Sequence, residues 1–193
     1  MIRAHLKFLT LFLQRPVCTG AVAPSSRWLA AQMVEGMKLE EAEVVVELGP
    51  GTGAFTGTIL ERLRPGALFL AIEINSRLID QLTRAFPKAH ILHTSAENLP
   101  ECLARFGKTV ANCILCGLPW AGFSRDLQDR LLAAVLKSLP PGGRFRTFAY
   151  SHGTWLPAGR RFRRLLDANF TRVKSSPVVW RNLPPAFVYR CEK

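Results

Sequence analysis

The feature that most constrains this chain is the run Val44-Val45-Val46-Glu47-Leu48, followed at once by Gly49-Pro50-Gly51-Thr52-Gly53. A continuous β-branched apolar run reads as a strand buried on both faces, which occurs where helices cover both sides of a parallel sheet. Glycines at every second position of the following turn let the backbone approach a ligand closely, because no Cβ intervenes. Together they predict a doubly wound α/β sheet, whose ligands sit beyond the carboxyl ends of the strands at the point where strand order reverses.

The rest of the chain repeats that unit. Apolar and β-branched runs predict further strands at residues 67–73, 90–93, 110–116 and 144–150, separated by helical patterns. Helices are expected around 55–63, 78–82 and 103–106, over 125–139, and at 160–168. Pro65-Gly66 and Pro140-Pro141-Gly142-Gly143 are stop signals for two of them. Ser25 or Ser26 can cap an earlier helix carrying Leu29, Ala30, Met33, Val34 and Met37. Two last strands, near 171–179 and 186–191, are spaced to pair as a hairpin. The expected fold is α/β, a doubly wound, seven-stranded and mostly parallel sheet forming one domain over residues 25–193, preceded by an amphipathic helix and loop over 1–24. With 193 residues, 48% of them hydrophobic, the chain can bury a sizeable core, which excludes a disordered chain.

The leading segment has its own pattern. Ile2, Leu6, Leu9 and Leu13 fall on one helical stripe, with Arg3, Lys7, Thr10 and Gln14 opposite. Phe8, Leu11 and Phe12 widen the apolar arc beyond what one neighbour covers, so the helix either rests partly on lipid or docks on its own domain. Lys7 interrupts the apolar run and Pro24 directly follows Ala21-Val22-Ala23, which argues against a cleaved secretory signal. The run is far too short to span a bilayer.

Lys and Arg outnumber Asp and Glu by 26 to 14, a formal net charge of +12 that points to an anionic partner, either nucleic acid or an acidic membrane surface. The five cysteines are odd in number and scattered, which fits a reducing compartment and predicts no disulfide framework. Cys113 and Cys116 form a C-x-x-C on a strand, where residues three apart point to opposite faces, so no metal site is expected from them.

The turn also carries chemistry. Its G-x-G-x-G spacing differs from the G-x-G-x-x-G of nicotinamide enzymes, and Glu47 before it would repel a pyrophosphate but accept from an ammonium. That points to a cofactor bearing an amino acid. Glu73 closes the second strand twenty residues after Gly53, where a carboxylate can accept from both hydroxyls of a ribose. Ser95-Ala96-Glu97-Asn98-Leu99 supplies a third polar strand end, readable equally as a helix cap with an acidic first turn. The fourth strand ends in Cys116-Gly117-Leu118-Pro119-Trp120-Ala121.

In combination these residues resemble the class I S-adenosylmethionine-dependent methyltransferases, with their Rossmann-like sheet. The resemblance implies that Glu47, Gly49, Gly51, Thr52 and Gly53 surround the methionine part, Glu73 with Ile74 binds the ribose, and Ala96 with Glu97 meets the adenine. Ser26 and Gly117 are implied as further cofactor contacts, with S-adenosylhomocysteine as product and no metal. The fourth strand end is similar to the acceptor signature of amino-methylating members: Asn or Ser, then Leu or Pro, then Pro, then Tyr or Trp. Gly117 departs from it at the first position. Carbonyls of Leu118 and Pro119 would orient an amine, and the face of Trp120 would accommodate a nitrogen growing cationic. In-line methyl transfer needs a neutral amine, and Tyr150 and His152, just past the fifth strand, are the candidates for handling its proton.

Two further segments, residues 20–27 and 180–189, resemble the bacterial phospholipid N-methyltransferases, relatives of the ribosomal RNA adenine dimethylases. That resemblance implies stepwise methylation of phosphatidylethanolamine towards phosphatidylcholine by a cytoplasmic enzyme held peripherally on the inner face of the cell membrane; the sequence leaves its oligomeric state open, with a monomer the expectation. Arg181, with Asn182 beside it, would take a lipid phosphodiester, and His152 and Trp120 would line the headgroup. Arg160, Arg161, Arg163 and Arg164 add a second basic cluster. No separate C-terminal helical domain of the kind that holds RNA is read here, which favours lipid over nucleic acid. An RNA adenine N6-methyltransferase and a membrane-binding relative without turnover are the alternatives.

Overall fold

The computed structural model describes residues 25–193, so the leading amphipathic helix lies outside the described residues. The described part begins with α1 (Arg27–Val34), capped by Ser26, whose Oγ accepts the amide of Leu29. Then follow β1 (Val44–Leu48), α2 (Thr56–Leu60), β2 (Leu68–Glu73), α3 (Ser76–Ala85), β3 (His90–His93), α4 (Leu99–Ala104) and β4 (Cys113–Cys116). The chain continues through α5 (Arg125–Lys137), β5 (Arg144–Tyr150), α6 (Pro157–Asn169), β6 (Arg172–Ser175) and β7 (Ala186–Glu192). Short 3-10 turns at Ala96–Asn98, Trp120–Gly122 and Ser151–Trp155 follow β3, β4 and β5.

All seven strands join one sheet in the order β3-β2-β1-β4-β5-β7-β6. The first five strands are parallel, and β7 runs antiparallel between β5 and β6, forming the predicted hairpin. Strand order reverses between β1 and β4, which places the ends of those two strands at the centre of the ligand-binding edge.

Alternation along the strands divides the core. Val44, Val46, Leu48, Leu70, Ile72, Ile114 and Cys116 pack with α4, α5 and α6 on one side. Val45, Phe69, Ala71, Cys113 and Leu115 pack with α1 and α2 on the other. Cys113 and Cys116 therefore face opposite layers, and all four described cysteines are buried and free. Burial pushes the Cys116 thiol up to about 12, with the side chains of Trp120 and Thr147 beside its sulfur. It stays a protonated core residue.

The elements are shorter than expected where side chains replace ladder bonds. Asn112, expected inside the fourth strand, uses its Oδ1 to accept the amides of Glu43 and Val44, and β4 starts only at Cys113. Ser176 does the same at the end of β6, where its Oγ accepts the amide of Val188. None of the described helices is long and apolar enough to cross a membrane.

Candidate active site

Glu47 and Glu73 stand on the same face of the sheet, two residues beyond Val45 and Ala71 respectively. Both are buried. Glu73 Oε2 accepts the amide of Gly51 at 3.0 Å and Oε1 that of Asn75 at 2.9 Å, so the carboxylate spans the tips of both strands. Burial raises its pKa, and the backbone hydrogen bonds from Asn75, Gly51 and Ile74 oppose that rise. Glu47 Oε2 accepts from Thr56 Oγ1 at 2.7 Å, whereas its Oε1 is buried without a partner. Burial pushes this carboxyl up to about 7, the Thr56 bond pulls it back, and the charge of Glu73 raises it further.

The glycines between these acids are there for two different reasons. Gly51 has a φ of +59° and open space where a side chain would project, so the turn exposes its backbone to whatever lies over it. Gly117 instead permits contact between strand ends: a Cβ there would lie 2.6 Å from the carbonyl oxygen of Gly49. This explains the departure of Gly117 from the amine-methylating signature, since a side chain would drive β4 away from the β1 turn. Gly53 closes that turn through its amide to the Pro50 carbonyl, with Thr52 exposed beside it.

A buried carboxylate oxygen lacking a donor, next to an open glycine turn, fits the ammonium of a methionine moiety. The paired acidic tip of β2, followed by half-buried Ile74, fits a ribose. At the third strand end, Ala96 is buried in the 3-10 turn capped by Ser95. The Glu97 carboxylate, read from sequence as an adenine contact, is turned onto Arg130 Nε of α5 at 2.6 Å. Among the described residues no group of His, Cys, Asp and Glu could hold a metal ion.

Beside the turn lies a cavity of about 250 Å³, walled by Leu118, Pro119, Trp120, Tyr150, Phe162 and Tyr189 among others, with His152 at its rim. None of its described lining residues is Asp or Glu. Tyr150 is half-buried, which raises its phenol pKa, and its ring runs nearly parallel to that of exposed His152, centroids 5.8 Å apart.

Trp120 is more deeply placed than the sequence reading allowed. Only 3% exposed, it stacks on Phe162 of α6 at 4.2 Å and meets Phe123 and Phe145 edge-on. One of the indole faces expected to meet an amine is therefore covered. The turn around it is fixed by internal bonds: Leu118 O accepts the amide of Trp120, and Pro119 O accepts that of Gly122.

Gln128 completes this wall and was not singled out from sequence. Fully buried, it donates from Nε2 to Trp120 O at 2.7 Å and to Ala158 O at 3.2 Å, and its Oε1 accepts from Arg161. The available signal was an amide in the apolar stripe 128, 131, 132 and 135 of α5.

The remaining expected site residues form a separate group on the hairpin loop. Asn182 is buried, its Oδ1 accepting the amide of Ser26 at 2.9 Å and its Nδ2 donating to Pro184 O at 2.8 Å, so both ends of its amide tether backbone. Ser26 is thereby tied to that loop. Arg181 is exposed, its guanidinium carbon 5.1 Å from the ring centroid of Trp28.

A family model of ribosomal RNA adenine dimethylases matches residues 25–97, the cofactor half. The ornithine lipid N-methyltransferase of Singulisphaera acidiphila is 32% identical over 187 residues, covering 95% of this chain and 93% of that protein. Ribosomal RNA small subunit methyltransferase A of Burkholderia mallei is 39% identical over 62 residues, covering 32% of this chain and 22% of that enzyme. Among solved structures, the N-methyltransferase NodS of Bradyrhizobium japonicum superposes with a TM-score of 0.66 at 14% identity, covering 86% of this chain and 95% of that one. The Bacillus cereus O-methyltransferase in complex with S-adenosylhomocysteine gives 0.68 at 15% identity, with 97% and 91% coverage. These two show the fold. The match along nearly the whole length shows the family: the chain belongs to the class I S-adenosylmethionine-dependent methyltransferases, in the group that contains the Singulisphaera ornithine lipid enzyme.

Proposed function

We propose that the chain is an N-methyltransferase for the amine of a membrane lipid headgroup. The observation that carries the reading is the pairing of Glu47 and Glu73 around the open turn at Gly51, directly beside an aromatic-walled cavity lacking carboxylates. Phosphatidylethanolamine and its methylated intermediates are the acceptors read from the sequence, and the full-length relative adds an ornithine lipid. Each offers an amine on a short stem near an anion. The RNA resemblance ends at residue 97, before the acceptor turn, and so speaks to the cofactor rather than the acceptor.

Bound S-adenosylmethionine supplies an electrophilic methyl group on a sulfonium. The chain supplies binding, alignment and exclusion of water. Glu73 and Gly51 hold the ribose side, and Glu47 accepts from the ammonium. The acceptor enters as a neutral amine between the Leu118-Pro119-Trp120 turn and Tyr150. Burial keeps the Tyr150 phenol protonated, so it orients the amine by hydrogen bonding, and His152 at the rim takes the proton that the acceptor's ammonium form sheds on entry, freeing the lone pair that attacks the methyl group. The anion of the headgroup meets Arg181, at the inner face of the cell membrane.

The test incubates the purified chain with labelled S-adenosylmethionine and, in separate reactions, vesicles containing phosphatidylethanolamine, vesicles containing an ornithine lipid, and protein-free ribosomal RNA. Label in a lipid product supports the reading and identifies the acceptor. Label only in RNA overturns it, as does binding of S-adenosylhomocysteine without turnover on any of the three.

A further inference from the structure

Five large apolar side chains are exposed among the described residues: Trp28 at 38%, Trp155 at 81%, Leu156 at 49%, Trp180 at 77% and Leu183 at 62%. All five lie on three short segments that are bonded to one another. The amide of Ser26, next to the segment carrying Trp28, donates to Asn182 of the hairpin loop. Ser151, which opens the segment carrying Trp155 and Leu156, donates from both its amide and its Oγ to Pro185 O of that same loop. The loop carries Trp180 and Leu183. They form one rim at the ligand-binding edge, and Leu156 also lines the acceptor cavity.

The charge of this rim is one-sided. Arg27 and Arg181 both lie over the ring of Trp28, their guanidinium carbons 4.5 and 5.1 Å from its centroid. Residues 25–34, 151–166 and 171–191 contain no Asp or Glu. Arg125, Arg160 and Arg164 line an open groove that shares Thr154, Gly159 and Tyr189 with the acceptor cavity. Tryptophans flanked by arginines, without carboxylates, suit the headgroup zone of an anionic bilayer, where indole rings sit at the boundary and each cation is attracted to the surface.

We infer that this rim is a membrane-docking surface, in which Trp155 and Trp180 enter the headgroup region of an anionic bilayer and set the mouth of the acceptor cavity on the lipid. The inference builds on the aminolipid reading but adds a contact independent of residues 1–24, and its readout requires no methyl transfer. The full-length chain, without cofactor, is sedimented with phosphatidylcholine vesicles prepared with and without phosphatidylglycerol. Partition should favour the anionic vesicles, and brominated acyl chains should quench tryptophan emission. Trp155→Ser and Trp180→Ser should each weaken partition about tenfold. The double variant should lose the quenching while binding S-adenosylhomocysteine with unchanged affinity.

Undiminished partition of a double variant that still binds S-adenosylhomocysteine would overturn the inference. So would emission untouched by brominated lipid, or a concentration-dependent dimer broken by the same substitutions in a chain that ignores vesicles, which would give the rim to a second copy. Docking through these tryptophans with no lipid methylated would leave the inference standing and remove the acceptor assignment. Methylation of detergent-dispersed aminolipid, with vesicle binding indifferent to both tryptophans, would do the reverse.

Discussion

The amide of Gly51 donates to Glu73 Oε2 across 3.0 Å, so the tip of β2 holds the turn that ends β1. On the proposed reading Glu73 has two duties, shaping the turn and presenting a carboxylate to the ribose. Glu73→Ala removes both and should weaken S-adenosylhomocysteine binding at least a hundredfold by calorimetry. Glu73→Gln keeps one acceptor oxygen and should fall between that variant and the parent. Equal affinity in Glu73→Ala and the parent would take Glu73 out of the cofactor site.

If Glu47 accepts from the cofactor's ammonium as proposed, cofactor binding should depend on pH. Its carboxyl titrates at about 7 when folded, against an ordinary value of 4.5, because burial disfavours the charge. Since the folded pKa is raised, the unfolded chain ionises first as pH rises through 4.5. Stability then falls between there and about 7 and stays lower above it. Glu47→Gln should therefore be more stable than the parent at pH 8, by on the order of 3 kcal/mol, and indistinguishable from it near pH 4. Binding runs the opposite way. The ammonium of S-adenosylhomocysteine needs the ionised carboxylate, so affinity should rise from pH 6 to 8 in the parent and stay flat in Glu47→Gln. Calorimetry across that range checks both signs.

Restoring the amine-methylating signature at Gly117 should damage this chain. An Asn there places a Cβ 2.6 Å from Gly49 O, a contact with backbone that no rotamer change relieves. Gly117→Asn should lower stability by about 1–3 kcal/mol, the scale of overpacking, and weaken S-adenosylhomocysteine binding through the displaced β1 turn. A thermal shift with and without ligand reads both. A variant as stable as the parent, with normal affinity, would show that the two strand ends separate freely.

The contrast between Gly117 and Trp120 shows what was legible in the sequence. Glu47 and Glu73 could be placed together because each lies at the end of one of the first two strands, and the count of seven strands with a closing hairpin followed from the repeating units with their Pro and Gly stops. These are local signals. The depth of Trp120 depends on Phe162, which arrives from α6 far along the chain, and no spacing rule connects them. Asn182 likewise looked like a rim residue available to substrate, but its amide is consumed by Ser26 and Pro184, one of them at the opposite end of the described chain. The ion pair of Glu97 with Arg130 of α5 was out of reach in the same way.

Trp120 should respond to substitution as a core residue first. Trp120→Ala removes the stack on Phe162 and should cost about 3–5 kcal/mol, so its loss of activity cannot be assigned to chemistry. Trp120→Phe keeps a ring against Phe162 at a cost below about 1.5 kcal/mol. If the wall formed by the indole seats the acceptor, the Phe variant should show unchanged S-adenosylhomocysteine affinity and a turnover at least tenfold lower. Full turnover in that variant would leave Trp120 a packing residue alone.

Gln128 offers the sharpest separation of positioning from chemistry. It clamps Trp120 O and Ala158 O with one amide nitrogen while its oxygen accepts from Arg161, which is also paired with Asp129. Gln128→Met keeps the volume and removes the clamp between Trp120 O and Ala158 O, and should cost about 1–2 kcal/mol. Gln128→Glu is nearly isosteric but aims oxygen at both carbonyls, so it should be worse than Met despite gaining a charge that Arg161 can meet. Neither variant touches the Glu47 and Glu73 pair, so S-adenosylhomocysteine affinity should be unchanged in both. The KM for the lipid acceptor should rise severalfold in the Met variant and further in the Glu variant, as the acceptor turn loses its hold on α6. A fall in kcat with acceptor KM unchanged would instead place Gln128 in the chemical step, and no change in either would make the clamp purely structural.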